Sequence, residues 1–393
     1  MKKQIISYGN QINKKALLDV VLKIKNWIVS RIQYKILDHF GKLPDHSRYA
    51  QWFSTIARRL VGGYIYSIKL EVNDYCELDC KMCYINKGKQ ELPFSLITRL
   101  LDQIRSYRIR LEILGGEPLL RKDIADIIRY AKYKSKVPYV SLYTNGIHAT
   151  TMLAGELKAA GLDAAIVTLI SNQEQIHDSF TGHKGSWNKT IEGIANLKAA
   201  GLEVYTFTAV HLDNYQHYQD IYYYMKNDLK IHALFYQYIP QRPDDTLAID
   251  ARIWHEIKHW VLGEKNRPQK EFVTRFYMLT GNACSGGNFV LTVKVDGSVQ
   301  PCPFMSDLSL GNIYQQDIWT IYKNRFRNQE FVKFKSVPAE CKSCTYQSVC
   351  GGGCKVGNKV LGSDYRHRDL RCLGPYCDPI RKESVTDCVP TFF

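Results

Sequence analysis

The sequence predicts an α/β protein in which a partial, TIM-like (β/α)6 barrel is followed by a cysteine-rich domain. Residues 64–240 alternate six strand-like apolar runs with five helical patterns, which implies right-handed βαβ crossovers and a parallel sheet. Six units are too few to close the eight-unit barrel, so we expect a sheet that stays open on one side. After residue 283, cysteine, glycine and short strand signals replace this alternation, which indicates a second domain.

The spacing of apolar residues along the chain predicts the strands and helices of the barrel in order. Short runs rich in apolar and β-branched residues mark the strands: Tyr64–Glu71, Arg110–Leu114, Tyr139–Thr144, Ala165–Ile170, Val204–Val210 and Ala233–Ile239. Apolar residues at three- and four-residue intervals mark the helices: Ser95–Tyr107, Asp123–Lys134, Thr151–Ala160, Ser186–Ala200 and Tyr215–Lys226. Because ligands of parallel sheets bind at the carboxyl ends of the strands, the residues that follow each strand form the candidate site.

The remaining segments flank the barrel. We expect a helical N-terminal extension over 1–62, the barrel over 63–240, a helical connector over 241–274 and a metal-organised domain over 275–393. The extension carries a stripe of apolar residues between lysines and arginines, and such a basic amphipathic helix can lie on a membrane or dock a partner. Surface helices commonly carry an apolar stripe, so packing on the chain's own core is the favoured interpretation.

Composition limits the classes of function. No secretory signal opens the chain and no run reaches the roughly 18 apolar residues of a membrane span, so we expect a cytoplasmic protein. In that reducing compartment its twelve cysteines more often bind metal than form disulfides. The formal net charge is +15, but the basic residues are scattered and no recognition motif occurs, so nucleic acid is not an expected partner. The net charge leaves one alternative open, a basic surface that attracts an acidic peptide or a membrane face.

Three cysteines follow the first strand. Cys76, Cys80 and Cys83 fall within eight residues, so their thiols belong at the ligand-binding edge of the sheet. Three thiolates can hold a cubane iron–sulfur cluster whose fourth iron is free for a small molecule, whereas fully ligated clusters take four cysteines. Close cysteine spacing also suits zinc, and isolated buried thiols are the third interpretation.

This Cys-x3-Cys-x2-Cys motif resembles the signature of radical S-adenosylmethionine (SAM) enzymes. The resemblance implies that Cys76, Cys80 and Cys83 ligate a 4Fe–4S cluster whose open iron binds the methionine part of SAM. In that family one electron cleaves SAM to a 5′-deoxyadenosyl radical, which removes hydrogen from an unactivated C–H bond. An aromatic residue usually precedes the third cysteine, but here Met82 stands at that position and the aromatic residue is Tyr84.

A second motif follows strand two directly and supports the resemblance. Its glycines allow a close approach of the backbone to a ligand. In the family the matching backbone helps to hold the amino group of SAM. The resemblance therefore implies a cofactor-binding role for the four residues of this motif, Gly115, Gly116, Glu117 and Pro118.

Later strand ends give weaker matches. Thr168 and Ser171 lie in and after strand four, where the family often has hydroxyl residues that contact the SAM ribose. Thr144-Asn145-Gly146 ends strand three, and we interpret it as a simple turn. Thr181 stands where the family often carries an arginine, so the contact to the SAM carboxylate stays unassigned.

The cysteine-rich segment carries the most specific pattern. Seven of the nine cysteines after residue 283 form an ordered pattern, with Gly297 ahead of the second: Cys284, Cys302, Cys341, Cys344, Cys350, Cys354 and Cys372. Their order and spacing resemble the SPASM domain, a C-terminal extension of radical SAM enzymes that holds two auxiliary 4Fe–4S clusters. A zinc ribbon does not readily explain all seven together with the first triad.

The resemblance also implies a ligand set for each auxiliary cluster. The cluster farther from SAM takes Cys341, Cys344, Cys350 and Cys372. The nearer cluster takes Cys284, Cys302 and Cys354, which leaves it one ligand short. An open iron, a distal ligand from Cys377 or Cys388, or a non-cysteine residue completes it, and the two distal cysteines are equally well explained as buried free thiols.

Family members with two auxiliary clusters mostly oxidise peptides or proteins. The resemblance therefore implies a SAM-dependent maturase that installs a crosslink or oxidises a side chain in a ribosomally made peptide. Its expected cofactors are 4Fe–4S clusters and SAM, and its expected partners are the peptide and an external electron donor such as flavodoxin or ferredoxin. Two alternatives stay open: a radical SAM enzyme that acts on a small molecule such as a tetrapyrrole, and a non-catalytic zinc-binding interaction protein.

Overall fold

The computed structural model describes residues 65–105, 107–265, 284–344, 351–362, 367–369 and 372. The predicted N-terminal extension, with its amphipathic helix, lies outside the described residues, as do Cys350, Cys377 and Cys388. Within the described part, no helix combines the length and the hydropathy that crossing a membrane requires.

Nine strands in the described residues form one sheet. In chain order they are β1 Ser67–Glu71, β2 Arg110–Leu114, β3 Val140–Thr144, β4 Ala164–Thr168, β5 Glu203–Val210, β6 His232–Gln237, β7 Val290–Val293, β8 Ser298–Gln300 and β9 Gly311–Asn312. Their order across the sheet is β6-β5-β4-β3-β2-β1-β7-β8-β9. From β1 to β6, consecutive strands pair in parallel: β1 with β2, β2 with β3, and so on to β5 with β6. This confirms the predicted α/β fold class and all six predicted barrel strands.

Helices connect the parallel strands. In chain order the α-helices of the described residues are α1 Phe94–Ile104, α2 Ile124–Arg129, α3 Thr151–Ala159, α4 Glu174–Thr181, α5 Ser186–Ala199, α6 Tyr218–Tyr223, α7 Ala251–Lys265, α8 Ile318–Asn324, α9 Gln329–Lys335 and α10 Lys355–Gly362. Two of them, α2 and α6, continue into π-helical turns. The sequence patterns predicted α1, α2, α3, α5 and α6, but not the short helix α4.

Alternation along β1 separates the two faces of the sheet. Ile68 and Leu70 join the large apolar core that the sheet shares with the surrounding helices. Ser67, Lys69 and Glu71 point to the opposite face because successive side chains of a strand alternate. The inner face of the barrel therefore carries polar and charged side chains from its first strand onward.

Strand β7 extends the barrel sheet from the cysteine-rich segment. It pairs in parallel with β1, in the register Ser67↔Val290 to Leu70↔Val293, and β8 and β9 then add antiparallel strands. An ion pair joins the ends of the two paired strands, with Lys294 Nζ 2.6 Å from Glu71 Oε1. The strands of the cysteine-rich segment thus continue the barrel sheet at its β1 edge and lie next to the loop of the first cysteine motif.

Candidate functional site

The loop of Cys76–Cys83 leaves β1 and is held by the end of helix α4. The Asp79 N–H donates to the Thr181 carbonyl at 2.8 Å, and the Lys81 N–H donates to the Phe180 carbonyl at 3.0 Å. All three thiols of the motif are half-buried. Burial raises the pKa of the Cys76 thiol to about 12, and it also raises the pKa of the Cys80 thiol. Without a ligand, the Cys76 and Cys80 thiols would stay protonated, and a cation is needed to hold them as thiolates.

The glycines of the second motif pack against the backbone that leads into this loop. A Cβ on Gly115 would lie 2.1 Å from Asn73 Oδ1, and a Cβ on Gly116 would lie 2.1 Å from the Tyr75 carbonyl oxygen. The Gly116 and Glu117 N–H groups donate to the carbonyls of Asn73 and Tyr75, each at 2.8 Å. The close approach that these glycines permit is therefore first an approach to the cysteine loop, while their contact with SAM stays a prediction.

Glu117 ties the second motif to the end of β3. Its buried carboxylate accepts hydrogen bonds from the Leu119 N–H at 2.9 Å, from Thr144 Oγ1 at 2.7 Å and from the Asn145 N–H at 2.7 Å. Burial raises the pKa of Glu117 to about 7, although the three donors act in the opposite direction. Glu117 thus joins two loops at the carboxyl ends of neighbouring strands.

One cavity of about 300 Å³ brings most of the sequence-predicted residues together. The predicted site residues that line it come from four parts of the chain: Cys76, Cys80, Cys83, Gly115, Gly116, Glu117, Thr168, Cys284, Cys302 and Cys354. Pro118 and Ser171 are not among the lining residues. Pro118 is buried at the start of a 3₁₀ turn, and the Ser171 hydroxyl is buried and accepts the Gln173 N–H at 3.1 Å. The cavity gives no support to a ribose contact by Ser171.

The cysteines of the second domain fall into two groups. Burial raises the pKa of the Cys302 thiol to about 12, and the nearby thiols of Cys284 and Cys354 raise it further. Burial also raises the pKa of Cys341, with Cys372 and Cys344 as its thiol neighbours. The structure thus places Cys284 and Cys354 near Cys302, and Cys344 and Cys372 near Cys341. The assignment of each group to a cluster stays a prediction, and Cys350 lies outside the described residues.

The donor chemistry suits iron–sulfur clusters. Each group consists of cysteine thiols, the ligands that hold such clusters. Among the residues that the structure describes, no three or more His, Cys, Asp and Glu side chains surround a point suited to a single metal ion.

A buried polar cluster forms part of the inner barrel wall, and the sequence patterns did not identify it as a site. Lys69 Nζ lies 3.4 Å from Glu112 Oε2, the Tyr143 hydroxyl donates to the same oxygen at 3.3 Å, and Ser67 donates to Glu112 Oε1. Burial acts to raise the pKa of Glu112, but Lys69 and the hydrogen bond from Ser67 hold it below its usual value. Lys69 and Tyr143 line the cavity. The signal for this cluster was Lys69, which lies between two apolar residues of β1 on the face that Ser67 and Glu71 share.

Comparison with known families agrees with this geometry. The model described as the radical SAM superfamily matches residues 70–224, and the model of SPASM, an iron–sulfur cluster-binding domain, matches residues 284–345. The chain is a radical SAM enzyme. The two matches contain the first cysteine loop and four of the seven patterned SPASM cysteines. The cofactors of this radical SAM enzyme are therefore 4Fe–4S clusters and SAM.

Its relatives carry names from two substrate classes. An AdoMet-dependent heme synthase of Oleidesulfovibrio alaskensis is 25% identical over 345 residues, covering 79% of this chain and 88% of the relative. The mycofactocin maturase MftC of Mycolicibacterium smegmatis is 25% identical over 348 residues, covering 80% of this chain and 84% of the relative.

A solved structure shares the fold of this radical SAM enzyme. Streptococcus suis SuiB bound to S-adenosylmethionine has a TM-score of 0.65 at 17% sequence identity, covering 79% of this chain and 78% of that chain. SuiB has also been solved bound to the precursor peptide SuiA. At this identity the likeness concerns the fold.

Proposed function

We propose that this radical SAM/SPASM enzyme oxidatively modifies a ribosomally made peptide, either by forming a crosslink or by oxidising a side chain. One observation carries the proposal: a single cavity is lined both by the first cysteine loop and by Cys284, Cys302 and Cys354. When bound, SAM and its cluster supply the agent that removes hydrogen from a C–H bond. Removal of two hydrogens also needs an acceptor for a second electron close to the substrate, and an auxiliary cluster held by Cys284, Cys302 and Cys354 would supply one.

The lining of the cavity supports a peptide side chain as the group that enters. Seven aromatic residues line it: Tyr84, Tyr143, Phe207, Tyr236, Tyr238, Phe304 and Phe334. Such a wall recognises apolar and aromatic groups through buried area and ring contacts.

The charged residues of the cavity also favour a peptide over a tetrapyrrole as substrate. Three lysines line it, and each already has protein partners: Lys69 bonds Glu112, Lys87 bonds Asp79, and Lys355 bonds backbone carbonyls. No arginine is among its described lining residues. A tetrapyrrole with several carboxylates would call for cations directed at the ligand.

The sheet supports entry of an extended substrate. Strand β6 is the last strand at one edge and pairs only with β5 among the described strands. An open edge of this kind offers backbone N–H and C=O groups to an added strand, which is one way in which proteins bind extended peptides.

Five assignments complete the proposal. Cys76, Cys80 and Cys83 ligate the SAM-binding cluster. Cys284, Cys302 and Cys354 ligate the nearer auxiliary cluster, and Cys341, Cys344, Cys350 and Cys372 ligate the farther one. Gly115, Gly116, Glu117 and Thr168 bind SAM. An external electron donor such as flavodoxin or ferredoxin reduces the SAM-binding cluster.

The decisive experiment is anaerobic incubation of the reconstituted enzyme with SAM, dithionite and a short peptide encoded beside its gene, followed by mass measurement. We expect 5′-deoxyadenosine to form and the peptide to lose two hydrogens for each crosslink. Formation of 5′-deoxyadenosine with an unchanged peptide mass would overturn the peptide assignment but keep the radical SAM assignment.

Modification of a tetrapyrrole is the second candidate function. The observation that favours it is the similarity to the heme synthase of Oleidesulfovibrio alaskensis. A parallel incubation with a carboxylated tetrapyrrole in place of the peptide separates the two candidates. Loss of side-chain carbon from the tetrapyrrole, with no change in the peptide, would favour the second candidate.

A further inference from the structure

Asn145 ends β3 and reaches toward the first cysteine of the cluster loop. Its side chain lines the cavity, and the residue is only 8% exposed. The amide nitrogen Nδ2 lies 2.9 Å from Glu77 Oε1 and 3.8 Å from Cys76 Sγ. The side chain therefore bridges strand β3 and two consecutive residues of the cluster loop.

The hydrogen-bond partners determine the orientation of this amide. The oxygen Oδ1 accepts the Ile147 N–H at 2.9 Å, and a backbone N–H can only donate. The carboxylate of Glu77 can only accept, so the nitrogen must face Glu77 and Cys76. The amide nitrogen carries two hydrogens, and the structure offers an acceptor to each, the carboxylate and the sulfur.

The backbone of Asn145 is held on both sides. Its N–H donates to Glu117 Oε2 at 2.7 Å, and its carbonyl accepts the Thr190 hydroxyl at 2.9 Å. Gly146 follows with φ of +83°, the left-handed conformation that turns the chain away after Asn145. The side chain of Glu77 has a second neighbour in His148, whose Nε2 lies 3.1 Å from Glu77 Oε1. Both the donor and its carboxylate partner are therefore fixed beside Cys76.

We propose that Asn145 is a positioning residue that donates an N–H···S hydrogen bond to Cys76 and thereby raises the reduction potential of the SAM-binding cluster. The inference rests on the proposed assignment of Cys76 as a cluster ligand. Reduction adds negative charge to a cluster, and donors to its sulfur atoms stabilise the reduced state. The turn interpretation of Thr144-Asn145-Gly146 accounts for the backbone and for the bond from the Ile147 N–H to Oδ1, but not for the position of the amide nitrogen beside Cys76.

The test compares Asn145→Ala with Thr190→Val in the full-length reconstituted protein. Thr190→Val removes a buried hydrogen bond to the same residue but leaves the amide of Asn145 in place. The readouts are iron content and the midpoint potential of the SAM-binding cluster, followed by electron paramagnetic resonance during a redox titration. Neither readout depends on turnover.

We expect the equilibrium constant for one-electron reduction of the cluster to fall roughly tenfold in Asn145→Ala. This corresponds to a midpoint potential that is lower by about 59 mV for a one-electron couple. Thr190→Val should keep the wild-type potential. An unchanged potential in Asn145→Ala, or an equal fall in both variants, would overturn the proposal. A wild-type protein that assembles no cluster at Cys76, Cys80 and Cys83 would overturn the ligand assignment itself.

A second measurement decides the case in which Asn145→Ala assembles no cluster. Wild-type protein is labelled with ¹⁵N in its asparagine side-chain amides, and the reduced cluster is measured by pulsed electron–nuclear double resonance. A hyperfine coupling from an asparagine amide nitrogen supports the hydrogen bond to Cys76. Absence of such a coupling in the labelled wild type would overturn it.

Discussion

The rings of Tyr84 and Phe304 pack together with their centroids 4.7 Å apart. Tyr84 directly follows Cys83, and Phe304 comes two residues after Cys302, so this pair joins the loop of the first cysteine motif to a loop of the SPASM domain. Lys294 Nζ lies 4.9 Å from the centroid of the Tyr84 ring and pairs with Glu71, which also bonds the Tyr84 hydroxyl. The two cysteine groups are thus held together by direct side-chain contact between the loops.

The first prediction concerns the energy of this ring pair. Aromatic pairs contribute about 1 kcal/mol beyond their buried area. A double-mutant cycle with Tyr84→Leu and Phe304→Leu should therefore give a coupling energy of about 1 kcal/mol between the two positions. The measurement is anaerobic denaturant unfolding of wild type, both single variants and the double variant. Strictly additive losses would mean that the rings do not stabilise the junction of the two loops.

The sequence predicted the elements with local signals and missed those that depend on distant pairing. Strands β1 to β6 have short apolar runs bounded by turn residues, and the first cysteine triad is visible because its spacing is local. Strand β7 falls among the short strand signals after residue 283, but nothing local indicated its parallel pairing with β1, Ser67↔Val290, which makes it part of the barrel sheet. Helix α4, Glu174–Thr181, has only eight residues and few apolar positions, too few for a clear period.

The site residues also divide into those that a local pattern identifies and those whose role depends on contacts with a distant loop. Gly115 and Gly116 stand out in the sequence because two adjacent glycines follow a strand, but the atoms that require them, Asn73 Oδ1 and the Tyr75 carbonyl oxygen, belong to another loop. Asn145 looks like a turn residue, and nothing local indicates that its amide reaches Cys76. Patterns in the sequence identify ligands and turns, whereas contacts between loops depend on the order of the strands.

The second prediction tests the steric requirement at Gly116. In Gly116→Ala the new Cβ would lie 2.1 Å from the Tyr75 carbonyl oxygen, a backbone atom, so the cysteine loop must shift. We expect the rate of SAM cleavage to fall by roughly a hundredfold, the order of effect of a small misplacement at a reacting centre. Gly155→Ala is the matched control, because nothing lies within 4 Å of its Cβ and the residue is inside helix α3. That control should keep its activity and gain about 0.5–1 kcal/mol in unfolding free energy.

The third prediction is a pH dependence that originates at Glu117. Burial raises the pKa of this carboxyl to about 7, above its value in the unfolded chain, so the folded protein holds the proton more tightly. The contribution of Glu117 to stability is therefore fully present below the unfolded pKa and is lost as pH rises toward about 7. Between pH 5.5 and 7.5 the wild type should lose about 2 kcal/mol more unfolding free energy than Glu117→Gln, which cannot titrate. Equal pH profiles for the two proteins would contradict the prediction.

The fourth prediction separates the cysteine groups by iron content. Replacement of Cys76, Cys80 or Cys83 by alanine should remove about four iron atoms per chain, the content of one cubane cluster, and abolish formation of 5′-deoxyadenosine. The auxiliary clusters should keep their absorbance in these variants. Cys284→Ala is the complementary variant and should still cleave SAM. Formation of 5′-deoxyadenosine at the wild-type rate by Cys76→Ala would contradict the ligand assignment.

The fifth prediction concerns the ion pair that joins β1 to β7. The side chains of Glu71 and Lys294 are only 2% and 14% exposed, so Lys294→Met leaves the Glu71 carboxylate buried without its cation. Removing one partner of a buried pair costs about 3 kcal/mol, whereas replacing both is often close to neutral. We therefore expect Lys294→Met to lower the unfolding free energy by about 3 kcal/mol at pH 8 and the double variant Glu71→Gln, Lys294→Met to recover most of the loss.

Acid should reduce the effect of Lys294→Met, because burial already raises the pKa of Glu71 and loss of Lys294 raises it further. The unpaired carboxyl then takes up a proton as pH falls, and its buried charge disappears. Anaerobic denaturant unfolding at pH 8 and at pH 5.5, with the double variant as control, measures the difference. A loss that is independent of pH would mean that Lys294 stabilises the junction through the packing of its side chain rather than through its charge.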